Sequence, residues 1–150
     1  SDAYLRLIPS SPDFVPDINS IDRAILLLNE DFPGPGKIRF EISDSPRFID
    51  QGENWEQVMC PCCNATLDLE WWQNAMDDAY KTEFQNLVVK VPCCGRDTSL
   101  NDLTYDWPAG FARFSIEISN PGVEVADLLI HQIETILGTS LRKIWAHYQS

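Results

Sequence analysis

Histidine is scarce in this 150-residue chain, and the short motifs that organise much enzymatic chemistry are missing. Only His131 and His147 occur, and neither lies in an H-E-x-x-H arrangement. There is no G-x-S-x-G, no phosphate-binding glycine loop and no dinucleotide fingerprint. Each histidine therefore reads as an ordinary surface or capping residue. Acid pairs are plentiful in so acidic a chain and single out no catalytic dyad. Long apolar runs are lacking too, since no stretch approaches the roughly 18 apolar residues that span a bilayer. The first residues, Ser1 to Arg6, show no basic segment followed by an apolar core. Together these lead us to expect a protein without membrane contact, resident in the cytoplasm. Basic residues are few: 11 Lys and Arg stand against 23 Asp and Glu, for a net charge of −12. Such a charge repels phosphate backbones at long range, so nucleic acid is disfavoured as a partner and another protein is the expected one. Solubility is the plainer use of the same charge.

What is present suffices for one folded unit. With 44% hydrophobic residues, the span 1–150 can bury a core as a single domain. Tyr4 to Pro9 reads as a strand. After a proline-punctuated stretch, Asn19 or Ser20 would cap a helix with Ile21, Ala24, Ile25 and Leu28 on its apolar side. Pro33-Gly34-Pro35-Gly36 ends it. From Lys37 to Ser43, Ile38, Phe40 and Ile42 alternate with Lys37, Arg39 and Glu41, the mark of a half-buried strand. Phe111 to Ser119 repeats that alternation. A turn at Asn120-Pro121-Gly122 leads to a helix over Val125 to Leu137, closed by Gly138, and Leu141 to Tyr148 reads as a final strand. Two β-α-β units separated by a long middle segment predict an α+β fold: a ferredoxin-like β-α-β-β-α-β sandwich with residues 52–108 inserted between its second and third strands. One sheet face would carry Arg39, Glu41, Arg113 and Glu117, with Arg39 and Glu117 set as a cross-strand charge pair.

The five cysteines are confined to that middle segment. They form two short groups, Cys60-Pro61-Cys62-Cys63-Asn64 and Val91-Pro92-Cys93-Cys94-Gly95. Aligned on their prolines, the groups are copies of one turn in which Val91 stands where Cys60 does. A C-P-x-C turn lets thiolates converge on one ion while backbone amides point at the sulfurs. The expected metal ligands are Cys60, Cys63, Cys93 and Cys94, with Cys62 able to replace one of them because adjacent thiolates are awkward on a single ion. Four sulfurs favour zinc, with iron second, and leave no open position for water, so the site reads as structural. Buried free thiols, a disulfide, or a C-x-x-C redox pair at Cys60 and Cys63 are the competing readings.

Between the groups, Leu67 to Phe84 reads as a helix and Leu87 to Val91 as a strand. Trp71 and Trp72 are expected to pack rather than to form an exposed contact surface. Ser99 and Asp102 have the spacing of a capping box opening one helical turn, within a loop that returns the chain to the sheet.

With its C-P-C-C and V-P-C-C-G turns followed by S-L-N-D-L-T-Y-D-W-P-A-G-F-A-R-F, the chain resembles a group of small uncharacterised bacterial proteins, specifically over Cys60 to Pro121 and more loosely outside it. The resemblance implies a bacterial cytosolic protein with a zinc-ribbon-like segment and supplies no activity. The expected function is a non-enzymatic protein-interaction module with a structural zinc site. The alternative is a small enzyme or thiol-redox protein using a cleft between sheet and insert, with Asp102, Asp106 or His131.

Overall fold

A computed structural model describes residues 2–149 and shows a mixed α+β chain. Four strands form the main sheet: β1 (Asp2–Pro9), β2 (Ile38–Ile49), β7 (Gly110–Ser119) and β8 (Leu141–Tyr148), in the order β2-β7-β1-β8 with antiparallel neighbours throughout. Helices α1 (Ile18–Asp31) and α3 (Asp127–Leu137) pack against one face of it. Alternation along the strands decides which residues they cover. Leu5 and Leu7 of β1 and Phe114, Ile116 and Ile118 of β7 meet Ile21, Ala24 and Leu28 of α1 and Leu129, Ile130 and Ile133 of α3 in one core. The opposite face carries Arg6, Arg39, Glu41 and Glu117.

The chain between β2 and β7 builds a second unit from β3 (Gln57–Met59), α2 (Leu69–Tyr80), β4 (Val88–Lys90), β5 (Asp97–Ser99) and β6 (Thr104–Asp106). β3 pairs with β6 and β4 with β5, each antiparallel. Its separate core holds Val58, Cys60, Leu67, Ala79, Val91, Leu100, Leu103 and Tyr105, and is continuous with Phe111 at the start of β7.

Several boundaries differ from the sequence expectation. The cap of α1 is Asp17, whose Oδ1 accepts from the amides of Asn19 at 2.9 Å and Ser20 at 3.1 Å, so Asn19 and Ser20 lie inside the helix. Those amides and the Ser20 hydroxyl hold the Asp17 carboxyl below its ordinary value. β2 runs on to Ile49 past a register shift between Ile42 and Arg47, so the strand is longer than the Lys37 to Ser43 that the alternation marks. The middle helix is the shorter Leu69–Tyr80. Ser99 opens a turn and not a helix: its hydroxyl accepts from the Asn101 amide and its carbonyl from the Asp102 amide. Arg39 and Glu117 are direct cross-strand partners at the backbone, yet the Glu117 carboxylate goes to Arg6 at 3.2 Å. The helix over Asp127–Leu137, its stop at left-handed Gly138 and the strand Leu141–Tyr148 agree with the periodicity.

Candidate metal centre

The two cysteine turns share one backbone geometry. In the first, the Cys60 amide donates to Ala65 O and the Asn64 amide to Cys60 O, both at 2.9 Å. In the second, the Val91 amide donates to Arg96 O and the Gly95 amide to Val91 O, both at 3.0 Å. Each turn reverses through a left-handed residue at the same place, Asn64 with φ 66° and Gly95 with φ 72°. Asparagine and glycine are the residues that tolerate that region, which explains why they follow the two cysteine pairs. Short strands fix the turns: β3 leads into the first, while β4 and β5 flank the second.

In this frame Val91 occupies the position equivalent to Cys60, and both are fully buried. The second turn thus spends its inward position on packing, and its sulfurs come from Cys93 and Cys94. The Sγ atoms of Cys60, Cys63, Cys93 and Cys94 all lie within 4.8 Å of one another. Cys60 and Cys94 are 3.9 Å apart and Cys63 and Cys93 are 3.3 Å apart. Tetrahedral coordination with metal–sulfur bonds of about 2.3 Å separates sulfurs by about 3.8 Å. The quartet is therefore compact, with separations on either side of that value, and the four thiols could hold a metal. Cys62 lies outside the quartet, exposed, with its amide donating to the Cys60 sulfur at 3.3 Å.

The electrostatics suit a shared anionic centre. Burial pushes the Cys60 thiol up, but the amides of Cys63 and Cys62 and the neighbouring Cys93 and Cys63 thiols outweigh it and bring it down to about 6. Burial, the thiols of Cys63 and Cys60 and the charge of the Cys60 thiolate push Cys93 up to about 12. Partial desolvation by the neighbouring atoms and the Cys60 charge also raise Cys62, though its side chain is exposed. Without an ion, one thiolate suppresses its neighbours; a dication would favour all four in the ionised form.

The unit carrying the turns is bound to the sheet by aromatic packing and by one buried amide. Trp72 on α2 meets Phe48 of β2 at 5.7 Å and Trp55 at 4.9 Å between ring centroids, and its Nε1 donates to the Tyr105 hydroxyl at 3.2 Å. Trp71 is also partly buried against this core. Tyr105 in turn donates to Leu100 O at 2.7 Å, and burial raises its phenol well above the ordinary value. Asn101 is only 4% exposed. Its Oδ1 accepts from the Phe111 amide at 2.8 Å and its Nδ2 donates to Ser10 O at 3.3 Å. Arg142 of β8 completes the junction, donating to Asn101 O at 2.9 Å and Ala109 O at 2.7 Å. Gly110 lets these side chains close in, since a Cβ would stand 2.5 Å from Arg142 Nη1 and 2.9 Å from Ile8 Cδ1 and both would have to shift. The role of Asn101 was missed in the sequence, where the S-L-N-D stretch suggests a helix cap.

The residues named for an enzymatic cleft do not assemble. His131 bonds Glu134 on its own helix at 2.9 Å, in a shallow depression lined by neither Asp102 nor Asp106. Asp106 accepts from the Trp107 amide, and Asp102 is exposed in the turn after β5. The uncovered sheet face has a depression of about 330 Å³ lined by Arg6, Arg39, Arg47, Glu41, Asp50 and Glu117 among others. Most of its charges pair internally: Arg6 with Glu117 and Asp50, and Arg47 with Glu41 at 3.1 Å. Among the described residues no helix is long and apolar enough to cross a membrane. No family model, curated protein or solved structure matches the chain.

Proposed function

We propose that Cys60, Cys63, Cys93 and Cys94 bind one structural zinc ion and that the chain is a non-enzymatic protein-interaction module of a bacterial cytoplasm. The observation that carries the metal reading is the convergence of four sulfurs within 4.8 Å on two backbone-matched turns. Four thiolates fill a tetrahedral ion, leaving no position for water or substrate, so the ion's work is to hold the insert together. Zinc is preferred over iron because the donor set is all-sulfur, tetrahedral and asks for no redox chemistry. The five free thiols suit a reducing compartment, in keeping with the bacterial cytosolic proteins that the cysteine turns resemble.

On this reading residues 1–150 form one ferredoxin-like domain, supported by the strand order β2-β7-β1-β8 and by both helices packing on one face, and residues 52–108 are its metal-bound insert. The partner is a protein with a basic surface, supported by the net charge of −12. A thiol-redox or enzymatic role has less behind it, because Cys60 and Cys63 share their surroundings with Cys93 and Cys94 and because Asp102, Asp106 and His131 do not share a cleft.

The test is metal content after purification under reducing conditions without added metal. About one equivalent of zinc per chain is expected, and less than about half an equivalent of zinc or iron sinks the proposal. Cys63→Ser and Cys93→Ser should each lose most of the metal, whereas Cys62→Ser should keep it. Loss in the Cys62 variant equal to that in the others would overturn the ligand set.

A further inference from the structure

β2 lies at one edge of the main sheet and β8 at the other. Exposed edges invite pairing with other chains, and folded proteins usually cover them. The β8 edge is covered over Trp145 to His147: Asn54 donates to Trp145 O at 3.0 Å, the Glu53 amide to His147 O at 2.8 Å and the His147 amide to Gln51 O at 3.3 Å. The first half of β2 has no such cover among the described residues. The Ser119 amide donates to Lys37 O at 2.9 Å, so the backbone of Lys37 points toward β7. Alternation then turns the amides and carbonyls of Ile38, Phe40 and Ile42 outward. The side chains of this stretch are exposed as well. Arg39, Phe40, Glu41 and Ile42 are four exposed residues in a row, with Phe40 at 42% and Ile42 at 44%. Arg39 has no ion pair among the described residues.

We propose that this edge pairs antiparallel with the same edge of a second copy, about a two-fold axis through Phe40. The sequence Ile38-Arg39-Phe40-Glu41-Ile42 is self-complementary under that operation. Phe40 faces Phe40 of the second copy, Ile38 faces Ile42, and Arg39 faces Glu41, the last two contacts each occurring twice. The residues that meet as hydrogen-bonded pairs, Ile38, Phe40 and Ile42, are those whose backbone groups point outward. Cross-strand pairs of this kind, aromatic with aromatic and opposite charge with opposite charge, stabilise antiparallel ladders. The apolar side chains extend the helix-covered face and the charged ones the uncovered face, so the sheet continues across the axis without a break in either pattern. Opposite charges placed symmetrically about an aromatic residue are what self-pairing requires; a different partner strand would demand no such symmetry. The register shift after Ile42 bounds the contact, which makes it a small interface and a weak dimer, with a dissociation constant of about 1–100 µM.

Sedimentation velocity of the metal-loaded chain tests this. The mass should move from 17.1 kDa toward twice that value as concentration rises from about 1 to about 300 µM. Arg39→Glu sets a second carboxylate against Glu41 on both sides of the axis and should raise the dissociation constant about tenfold or more. Arg39→Glu combined with Glu41→Arg restores opposite charges across the axis and, with Arg47→Glu added to restore the pair that Arg47 makes with position 41, should return it to within about threefold of the original. Positions 39 and 41 are exposed, and circular dichroism verifies that the variants stay folded. A single 17.1 kDa species at every concentration overturns the proposal. So does a dimer indifferent to Arg39→Glu, or one that the combined exchange fails to restore.

Discussion

Asn101 shows how much one side chain can hold. Its amide group and carbonyl serve Phe111 of β7, Ser10 just after β1 and Arg142 of β8, while Asn101 itself sits in the insert. Replacing it by leucine removes the Oδ1 acceptor from a buried amide and the Nδ2 donor from a carbonyl. The Phe111 amide is buried and left without a partner, at a cost of about 1–3 kcal/mol, whereas Ser10 is exposed and its carbonyl can turn to water, so Asn101→Leu should lower stability by about 1–3 kcal/mol in urea unfolding. Asp102→Leu, one residue on and exposed, should stay within about 0.5 kcal/mol. Equal losses at the two positions would contradict the junction. The sequence hides this role because Ser-Leu-Asn-Asp is also ordinary turn and cap chemistry, and only the return of the chain to the sheet turns the amide inward. The choice of sulfurs is similarly half-legible. Proline alignment exposes the two copied turns, but the burial of Val91 in the place of Cys60, and the use of Cys93 beside Cys94, depend on how the turns face each other.

At the scale of elements the molecule has two cores with different supports. The helix-covered core of Leu5, Leu7, Phe114, Ile116 and Ile118 with α1 and α3 is made of long elements, and its strands and helices are legible because apolar residues recur at periods of two and about 3.6. The insert relies on strands three residues long, of which β4 lies within the strand read over Leu87 to Val91, while β3, β5 and β6 carry too few alternations to read from sequence. Its sulfur quartet lies between turns that α2 separates along the chain and that these short strands flank. β2 is an intermediate case: its first half alternates cleanly, whereas Pro46 and the register shift reset the alternation before Arg47, Phe48 and Ile49. Chelation should therefore act unevenly. With zinc removed under reducing conditions, amides flanking the turns, such as Cys60, Leu67 and Val91, should exchange with deuterium at least about tenfold faster. Amides of β1, β7 and α3 should change much less. Uniform loss of protection across both cores would show that the metal supports the whole domain, and no loss in the turns would show that it supports neither.

At the scale of the whole molecule, the net charge of −12 acts against the compact state, and four thiolates on one zinc ion would add to it. Ion pairs act in the other direction, and their exposure decides the balance. Lys81–Asp78 and Lys90–Asp97 are exposed at about 70–80% on both partners, where such pairs contribute little. Arg6 is substantially covered, at 20% exposure, between Asp50, Glu117 and the Tyr148 hydroxyl. Burial lowers its tendency to hold a proton, but Tyr148 and Glu117 outweigh that and raise it, so Arg6 keeps its charge at any ordinary pH. Screening by salt removes long-range repulsion among many acids while weakening a few exposed pairs, so repulsion dominates the response. Raising sodium chloride from about 0.05 to about 0.5 M should raise Tm by about 2–6 °C, corresponding to about 1–2 kcal/mol for a chain of this size. Chloride is the right probe because sulfate also stabilises by exclusion from the surface. A fall in Tm would mean that paired charges outweigh the net repulsion. The same field must act oppositely on a basic partner: attraction to it should weaken over the salt range in which the chain itself becomes more stable, so the two salt responses separate partner binding from folding.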